Sequence, residues 1–98
     1  MRYKDKIVLI TGSGSGIGKA AALAFSKEGG KIIVSDINEN NGLKTVSEII
    51  KKNGEATFFK ADVSNFGMVK NLMDFIIKKY GKLDVAINNR RYTIAIYG

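Results

Sequence analysis

Residues 6–36 of the 98-residue chain read KIVLITGSGSGIGKAAALAFSKEGGKIIVSD. An apolar strand is followed by a turn with glycines at positions 12, 14, 16 and 18, a helix, a second apolar strand and the carboxylate of Asp36. A strand that turns tightly into a helix presents free backbone N–H groups at the positive end of the helix, and these groups bind phosphate. Glycine lets the backbone of the turn reach positive φ or lie close against a phosphate. The segment therefore predicts a site for a phosphate-bearing ligand.

Asp36 indicates which ligand this turn would take. It ends the second strand, within reach of the adenosine ribose hydroxyls of a dinucleotide whose pyrophosphate lies on the turn. Its negative charge would repel the 2′-phosphate of NADP, and Ser13, Ser15 and Ile37 provide no cation to offset that repulsion. The sequence therefore predicts NAD as the cofactor, in preference to NADP.

The spacing of the glycines distinguishes between phosphate-binding motifs. A P-loop, G-x-x-x-x-G-K-S/T, would need glycine in place of Ser13 and a hydroxyl in place of Ala20. The G-x-G-x-x-G pattern also fails, because Ile17 and Lys19 occupy its third-glycine position in the two available registers. The pattern that fits is T-G-x-x-x-G-x-G, formed by Thr11, Gly12, Gly16 and Gly18. A flexible turn without a ligand is the alternative, and the flanking strands and helix argue against it.

Apolar runs alternate with helical periodicity along most of the chain. Strands are predicted at 6–10, 31–35, 56–60 and 83–87. Helices are predicted at 16–28 and at 39–52, where Gly54 is expected to stop the helix, and a third helix follows a cap at Ser64. Strands that alternate with helices of this length form right-handed crossovers and a parallel sheet. We expect an α/β fold, a three-layer Rossmann-like parallel sheet of four strands and three helices, which is half of a doubly wound fold. Residues 1–89 would form this NAD(P)-binding half-domain, and residues 90–98 an atypical tail able to add an edge strand.

Composition narrows the classes of function. The sequence contains no cysteine and no histidine, which excludes disulfides, thiolate nucleophiles and soft metal sites within it. The formal net charge is +7, but the basic residues are dispersed, and the Lys51-Lys52 and Lys78-Lys79 pairs fall near predicted helix ends, where they complement the helix dipole. We expect no nucleic-acid partner and no membrane segment. The absence of cysteine fits a reducing compartment, so a cytoplasmic protein is expected.

Four ordered motifs resemble the short-chain dehydrogenase/reductase family over residues 5–89. They are TGSGSGIG at 11–18, Asp36, the Ala61-Asp62-Val63 triplet, and LDVAINN at 83–89. The resemblance implies an oxidoreductase that exchanges hydride between NAD and an alcohol or carbonyl substrate. It implies that Asp36 holds the adenosine ribose, that Asp62 and Val63 contact the adenine, and that Asn88 lies beside the cofactor. The residues implied to surround the pyrophosphate and adjoining ribose are Gly12, Ser15, Gly16, Ile17 and Gly18.

Two of these residues also have an ordinary structural interpretation. Asp62 could cap the turn that precedes the third helix, as aspartate commonly does. Val63 could belong to the apolar core. The sequence leaves both interpretations open beside the adenine contacts.

The resemblance ends at Asn89, where the family continues with Ala-Gly and this sequence has Arg90-Arg91. Family members then supply a catalytic Ser and a Tyr-x-x-x-Lys pair, but no tyrosine of this sequence is followed by lysine four residues later. Hydride transfer in the family needs that tyrosine as the acid/base. We therefore expect cofactor binding without turnover, in a truncated or frameshifted family member. The alternatives are a non-catalytic nucleotide-binding or interaction module and an inactive folded fragment.

The edge of the fourth predicted strand has consequences for assembly and affinity. Without a fifth strand, its apolar edge would be unpaired. Residues 92–97 could fold back onto it in the antiparallel sense or pair with another chain, so we expect self-association through strand 83–87 and residues 92–97. Loss of contacts on the nicotinamide side should weaken NAD binding by about tenfold to a hundredfold, or ~1.4–2.8 kcal/mol.

Overall fold

The computed structural model describes residues 1–89 and the backbone of residues 93–96. The elements are β1 Ile7–Thr11, α1 Gly16–Lys27, β2 Lys31–Asp36, α2 Glu39–Lys51, β3 Glu55–Lys60, α3 Phe66–Tyr80, β4 Val85–Asn88 and β5 Thr93–Ile96. The strands form one sheet in the order β3-β2-β1-β4-β5. The first four strands are parallel, and β5 is antiparallel to β4. In the described residues, the expected α/β fold with four parallel strands and three helices is confirmed.

Two apolar clusters, one on each face of the sheet, attach the helices. Alternate side chains of a strand point to opposite faces, so Val8 and Ile10 join one cluster while Ile7 and Leu9 join the other. The buried helix residues of these clusters are Ala22 of α1, Ile49 of α2, and Leu72 and Ile76 of α3. Because helices cover both faces, every residue of β1 is buried, as is typical of a central parallel strand.

The start of β4 differs from the predicted strand at 83–87. The strand begins at Val85. At Asp84 the side-chain carboxylate, and not a backbone carbonyl, accepts the hydrogen bond from the Ile7 N–H, so the regular strand pairing starts one residue later. The Ile7 N–H donates to Asp84 Oδ2 at 2.8 Å, and the Asp84 N–H donates to the Ile7 carbonyl at 3.0 Å. Lys82 Nζ lies 3.2 Å from the same carboxylate oxygen. Strand periodicity carries no signal for such a side-chain bond.

Replacing Asp84 with asparagine is expected to lower the free energy of unfolding by about 1–3 kcal/mol at pH 7, because a buried charged acceptor is lost. Burial raises the pKa of the Asp84 carboxyl, but the hydrogen bond from Ile7 and the nearby Lys82 ammonium lower it, and the net pKa lies below the usual value. A carboxylate with a lowered folded-state pKa stabilises fully above the pKa of the unfolded chain. That contribution is lost as the pH falls through the folded-state value.

Urea denaturation of the Asp84→Asn variant and the unsubstituted protein, repeated at several pH values, measures this contribution. The difference between the two free energies of unfolding should be constant near neutral pH and should narrow below about pH 4. A difference that stays the same into the acid range would argue against a stabilising Asp84 carboxylate.

The cap of α3 also differs from the sequence prediction. Asn65 caps the helix, and its Oδ1 accepts from the Met68 N–H at 3.1 Å. The predicted cap, Ser64, instead donates its hydroxyl to Asp62 Oδ1 at 2.6 Å. With 15 residues, α3 is the longest helix among the described residues, and no helix there is long and apolar enough to cross a membrane.

The end of α2 is formed by a different residue from the one predicted. Asn53 adopts the left-handed conformation, with φ of 65°, whereas Gly54 was predicted to stop the helix. Asparagine tolerates this region better than most residues. Gly54 is required for space instead, since a Cβ at this position would overlap Ser26 Oγ and lie 2.7 Å from Ile49 Cγ2.

β5 pairs antiparallel with β4, with Val85 opposite Ile96 and Asn88 opposite Thr93. The edge of β4 is therefore covered by a strand of the same chain over these residues, and β5 forms this edge of the sheet. The other edge is β3. Residues 90–92 and 97–98 of the predicted tail lie outside the described residues.

Candidate functional site

The glycine turn joins the carboxyl end of β1 to the amino end of α1. Gly12 and Gly16 have φ of 65° and 58°, a left-handed region that glycine reaches without steric cost. Gly18, in the first turn of α1, lies so close to the Gly12 carbonyl that a Cβ would overlap its oxygen. This contact brings α1 against the end of β1. The first residues of the helix are exposed, together with the Ser15 N-cap, whose side chain makes no capping hydrogen bond.

Backbone donors define the electrostatics at the start of α1. The first N–H groups of a helix have no acceptor within the helix, and here they belong to the segment that contains exposed Gly16 and Ile17. The first turn contains no acidic residue. Lys19 Nζ is 3.0 Å from Glu48 Oε1 of α2, so this lysine forms an ion pair with Glu48. An anion at this helix end would therefore be held by N–H groups and the helix dipole.

The Asp36 carboxylate connects the end of β2 to the glycine turn. Its Oδ2 accepts from the Gly14 N–H at 2.8 Å, and its Oδ1 accepts from the Asn38 N–H at 2.8 Å. A carboxylate has about four acceptor positions, so both oxygens retain capacity for a hydroxyl of a ligand. Asp36 is partly exposed. The carboxylate is thus oriented by the backbone and still accessible.

A buried network beneath the turn holds it to β2 and α2. The Ser13 hydroxyl donates to the Ile10 carbonyl at 2.7 Å and accepts from the Ser35 N–H at 3.2 Å. The Thr45 hydroxyl on α2 donates to the Ser13 carbonyl at 2.9 Å. Ser13 and Thr45 are both fully buried. Neither residue is predictable as part of the site from the sequence, because these bonds join segments that only the tertiary fold brings together.

A cleft of about 370 Å³ opens beside the turn and contains four of the residues predicted from the sequence. It is lined by Thr11, Gly12, Asp36, Ile37, Ala61, Asp62, Val63 and Ser64. Asp62 Oδ1 accepts from both the N–H and the hydroxyl of Ser64, so Asp62 also organises the turn before α3. Val63 is half-buried and lines the cleft, outside the two apolar clusters. Within residues 1–89, no acidic side chains are grouped to hold a metal ion.

Two asparagines at the end of β4 lie on the other side of β1 from Asp36. Thr11 Oγ1 donates to Asn88 Oδ1 at 3.2 Å, and Asn89 Nδ2 donates to the Gly12 carbonyl at 3.3 Å. Asn88 does not line the cleft of about 370 Å³. Asn89 is not among the site residues predicted from the sequence. Its contact with the glycine turn follows from the pairing of β4 with β1, which no local spacing reveals.

A larger cleft, of about 730 Å³, lies at the opposite end of the sheet, near the starts of β2 and β3. None of the residues predicted from the sequence for the site lines it. The carboxyl ends of α1 and α2 face this region, and helix carboxyl ends carry partial negative charge. Its charged lining residues have both signs and are Asp5, Lys27, Lys31, Lys52 and Glu55. We therefore place the candidate site at the glycine turn.

Comparison with known proteins identifies similar sequences. The family model described as short chain dehydrogenase matches residues 6–92. A 3beta-hydroxysteroid dehydrogenase from Mediterraneibacter gnavus is 46% identical over 88 residues, which cover 90% of this chain and 32% of the relative. The 7alpha-hydroxysteroid dehydrogenase of Escherichia coli K12 is 38% identical over 89 residues, covering 91% of this chain and 35% of the relative. The chain thus spans about a third of the length of these relatives.

Solved structures of short chain dehydrogenases have a fold similar to that of this chain. A short chain dehydrogenase/reductase from Burkholderia phymatum in complex with NAD superposes with a TM-score of 0.84 at 30% identity, covering 89% of this chain and 31% of that one. A 7 alpha-hydroxysteroid dehydrogenase complexed with NADH and 7-oxo glycochenodeoxycholic acid gives 0.86 at 38% identity, covering 89% and 34%. The similarity lies in the same Rossmann-like sheet and helices.

Proposed function

The chain belongs to the short-chain dehydrogenase family, and we propose that it forms the NAD-binding portion of an oxidoreductase of that family. The observation that carries this proposal is the 2.8 Å hydrogen bond between the Gly14 N–H and Asp36 Oδ2. This bond holds a helix end suited to a pyrophosphate next to an acceptor suited to ribose hydroxyls. Asp36 lines a cleft of about 370 Å³ together with Gly12 of the glycine turn, and this combination matches the adenosine half of a dinucleotide.

The residues present fit a dinucleotide at this site. The close approach of Gly18 to Gly12 leaves the amino end of α1 open for a pyrophosphate, and Asp36 retains acceptor capacity for the adenosine ribose. NAD, when bound, supplies a hydride acceptor for alcohol oxidation. Asp62 and Val63 would contact the adenine, and Asn88 would lie beside the cofactor at the end of β4. The proposed pyrophosphate-side residues are Gly12, Ser15, Gly16, Ile17 and Gly18.

We propose NAD in preference to NADP on electrostatic grounds. The Asp36 carboxylate lies at the cleft, whose described lining residues include no cation, and a 2′-phosphate brought beside it would add a second negative group. Lys19, the lysine nearest to the turn in sequence, is paired with Glu48. Among the described residues that line the cleft, none offsets this repulsion.

Calorimetric titration of the 98-residue protein with NAD and with NADP tests this proposal. We expect NAD to bind about tenfold to a hundredfold more weakly than to a full-length relative, because these 98 residues span only about a third of the length of the relatives they match. An alcohol/carbonyl substrate should give no turnover, since the sequence has no Tyr-x-x-x-Lys pair. Failure to detect NAD binding at millimolar concentration would overturn the proposal.

A non-catalytic nucleotide-binding or interaction module is the second candidate, favoured by Arg90-Arg91 in place of the family's Ala-Gly. Measurable dehydrogenase turnover would exclude it. Sequencing the encoding DNA beyond codon 89 in all frames separates the alternatives: a Ser and a Tyr-x-x-x-Lys motif in a shifted frame would indicate a frameshifted dehydrogenase. The cytoplasmic location remains a proposal based on the absence of cysteine, which suits a reducing compartment.

We also propose that the protein self-associates, through β5 and not through an unpaired edge of β4. β5 covers one edge of β4, so a second copy would pair along β5, whose other side is an edge of the sheet. Unpaired strand edges present donors and acceptors to another chain. Sedimentation velocity at micromolar concentration should show a dimer or larger species, and a strictly monomeric protein would rule this assembly out.

A further inference from the structure

We propose that Thr45 is a positioning residue that sets the preference for NAD over NADP, an inference that rests on the proposed function. Thr45 lies on α2 and is fully buried, so it cannot touch a cofactor in the cleft. It acts through the peptide bond between Ser13 and Gly14. That peptide connects Thr45 on one side to the Asp36 carboxylate on the other.

Both polar groups of this one peptide are held by side chains. The Ser13 carbonyl accepts from the Thr45 hydroxyl at 2.9 Å, and the Gly14 N–H donates to Asp36 Oδ2 at 2.8 Å. A peptide group is planar, so its carbonyl and its N–H rotate together. Any tilt that releases the carbonyl from Thr45 also redirects the N–H that orients Asp36. The position of the carboxylate is therefore coupled to a hydroxyl on a different element.

Close packing gives Thr45 a defined position relative to the turn. A Cβ at Gly14 would lie 2.8 Å from Asn41 Cβ, and a Cβ at Gly42 would overlap the Phe58 ring, so α2 is seated tightly on both the turn and β3. The Thr45 hydroxyl has one proton and two acceptors in reach, the Ser13 carbonyl at 2.9 Å and the Asn41 carbonyl at 3.3 Å. The shorter distance favours the bond to Ser13 over the bond within the helix.

Removing this hydroxyl should affect the two cofactors differently. In Thr45→Val the Ser13 carbonyl loses its side-chain donor and the peptide plane is less constrained. The Gly14 N–H then holds Asp36 Oδ2 less firmly, and the Asn38 N–H remains as the second donor to the carboxylate. NAD affinity should fall about threefold to tenfold, the range expected for one hydrogen bond. NADP depends less on Asp36, so its affinity should change less, and the NAD-to-NADP affinity ratio should fall. A merely structural role would weaken binding of both cofactors equally and leave the ratio unchanged.

The experiment compares the 98-residue protein with Thr45→Val, Thr45→Ser and the matched control Thr57→Val on β3. Calorimetry gives the affinities for NAD and NADP, and the Gly14 amide resonance of the cofactor-free protein reports its hydrogen bond to Asp36. We expect the ratio and the Gly14 resonance to change in Thr45→Val, to return in Thr45→Ser and to stay unchanged in Thr57→Val. If Thr45→Val does not fold, Thr45→Ala removes the same hydroxyl with less bulk near the helix.

The outcomes separate this inference from the proposed function. If the unsubstituted protein binds NAD and Thr45→Val keeps the same ratio and the same Gly14 resonance, Thr45 has no positioning role. If the unsubstituted protein does not bind NAD, the proposed function fails, and the selectivity role of Thr45 fails with it. In that case a shifted Gly14 resonance in Thr45→Val would still support the coupling between Thr45 and Asp36, and an unshifted one would overturn it.

Discussion

Replacing Asp36 with alanine is expected to lower NAD affinity by about tenfold to a hundredfold and to remove the preference for NAD over NADP. The carboxylate lies at the cleft with acceptor capacity left on both oxygens after its bonds to the Gly14 and Asn38 N–H groups. In the proposed complex, its loss would remove charged hydrogen bonds to the ribose hydroxyls and so lower NAD affinity. It also removes a negative charge that opposes the 2′-phosphate, so NADP affinity should stay the same or rise.

Two further variants separate the causes of this effect. Asp36→Asn retains an amide oxygen as an acceptor but removes the charge, so it should relieve the repulsion of NADP while losing less NAD affinity than alanine. Asp74→Ala makes the same change in net charge on the exposed side of α3, where Asp74 pairs with Lys70 at 3.7 Å, and should leave both affinities unchanged. Calorimetric titration of each variant with both cofactors provides the comparison. An unaltered affinity ratio in Asp36→Ala would exclude Asp36 as the source of selectivity.

The helices and strands that are determined by residues close together in the sequence could be predicted from it. The second strand, predicted at 31–35, is β2 Lys31–Asp36, and the second helix, predicted at 39–52, is α2 Glu39–Lys51. Apolar periodicity and glycine turns determine such elements locally. The approach of the glycine turn to Asp36 was predictable as well, because the carboxyl ends of adjacent parallel strands meet at one edge of the sheet.

Bonds between segments distant in sequence could not be predicted from local patterns, and one of them accounts for the later start of β4. The hydrogen bond from the Ile7 N–H to the Asp84 carboxylate joins residues 77 positions apart, and β4 begins only after Asp84, at Val85. The bond from Thr45 to the Ser13 carbonyl spans 32 positions and depends on how α2 packs. Each of these contacts requires the strand order to be known first, and a single sequence specifies periodicities but not which polar side chain meets which backbone group.

Gly18→Ala is expected to be the most destabilising single change in the turn, lowering the free energy of unfolding by about 3 kcal/mol. The added Cβ would overlap the Gly12 carbonyl oxygen, lie 2.8 Å from the Gly12 carbonyl carbon and lie 3.0 Å from Asn89 Nδ2. Two of these neighbours are backbone atoms of the chain leaving β1, so relief requires α1 to move away from the sheet. Alanine is favoured over glycine within a helix by only about 1 kcal/mol. The cost of the overlap is larger, so the substitution should lower the free energy of unfolding.

The matched control for this prediction is Gly67→Ala, which places the same methyl group on an exposed glycine near the start of α3. The nearest atom to a Cβ there is Asn65 Oδ1 at 3.4 Å, so helix propensity acts alone and stability should rise by up to about 1 kcal/mol. Urea denaturation followed by circular dichroism measures both variants. If Gly18→Ala gained stability as Gly67→Ala does, α1 would not be held against the end of β1. The amino end of α1 would then lack the fixed position next to Asp36 that a dinucleotide site requires.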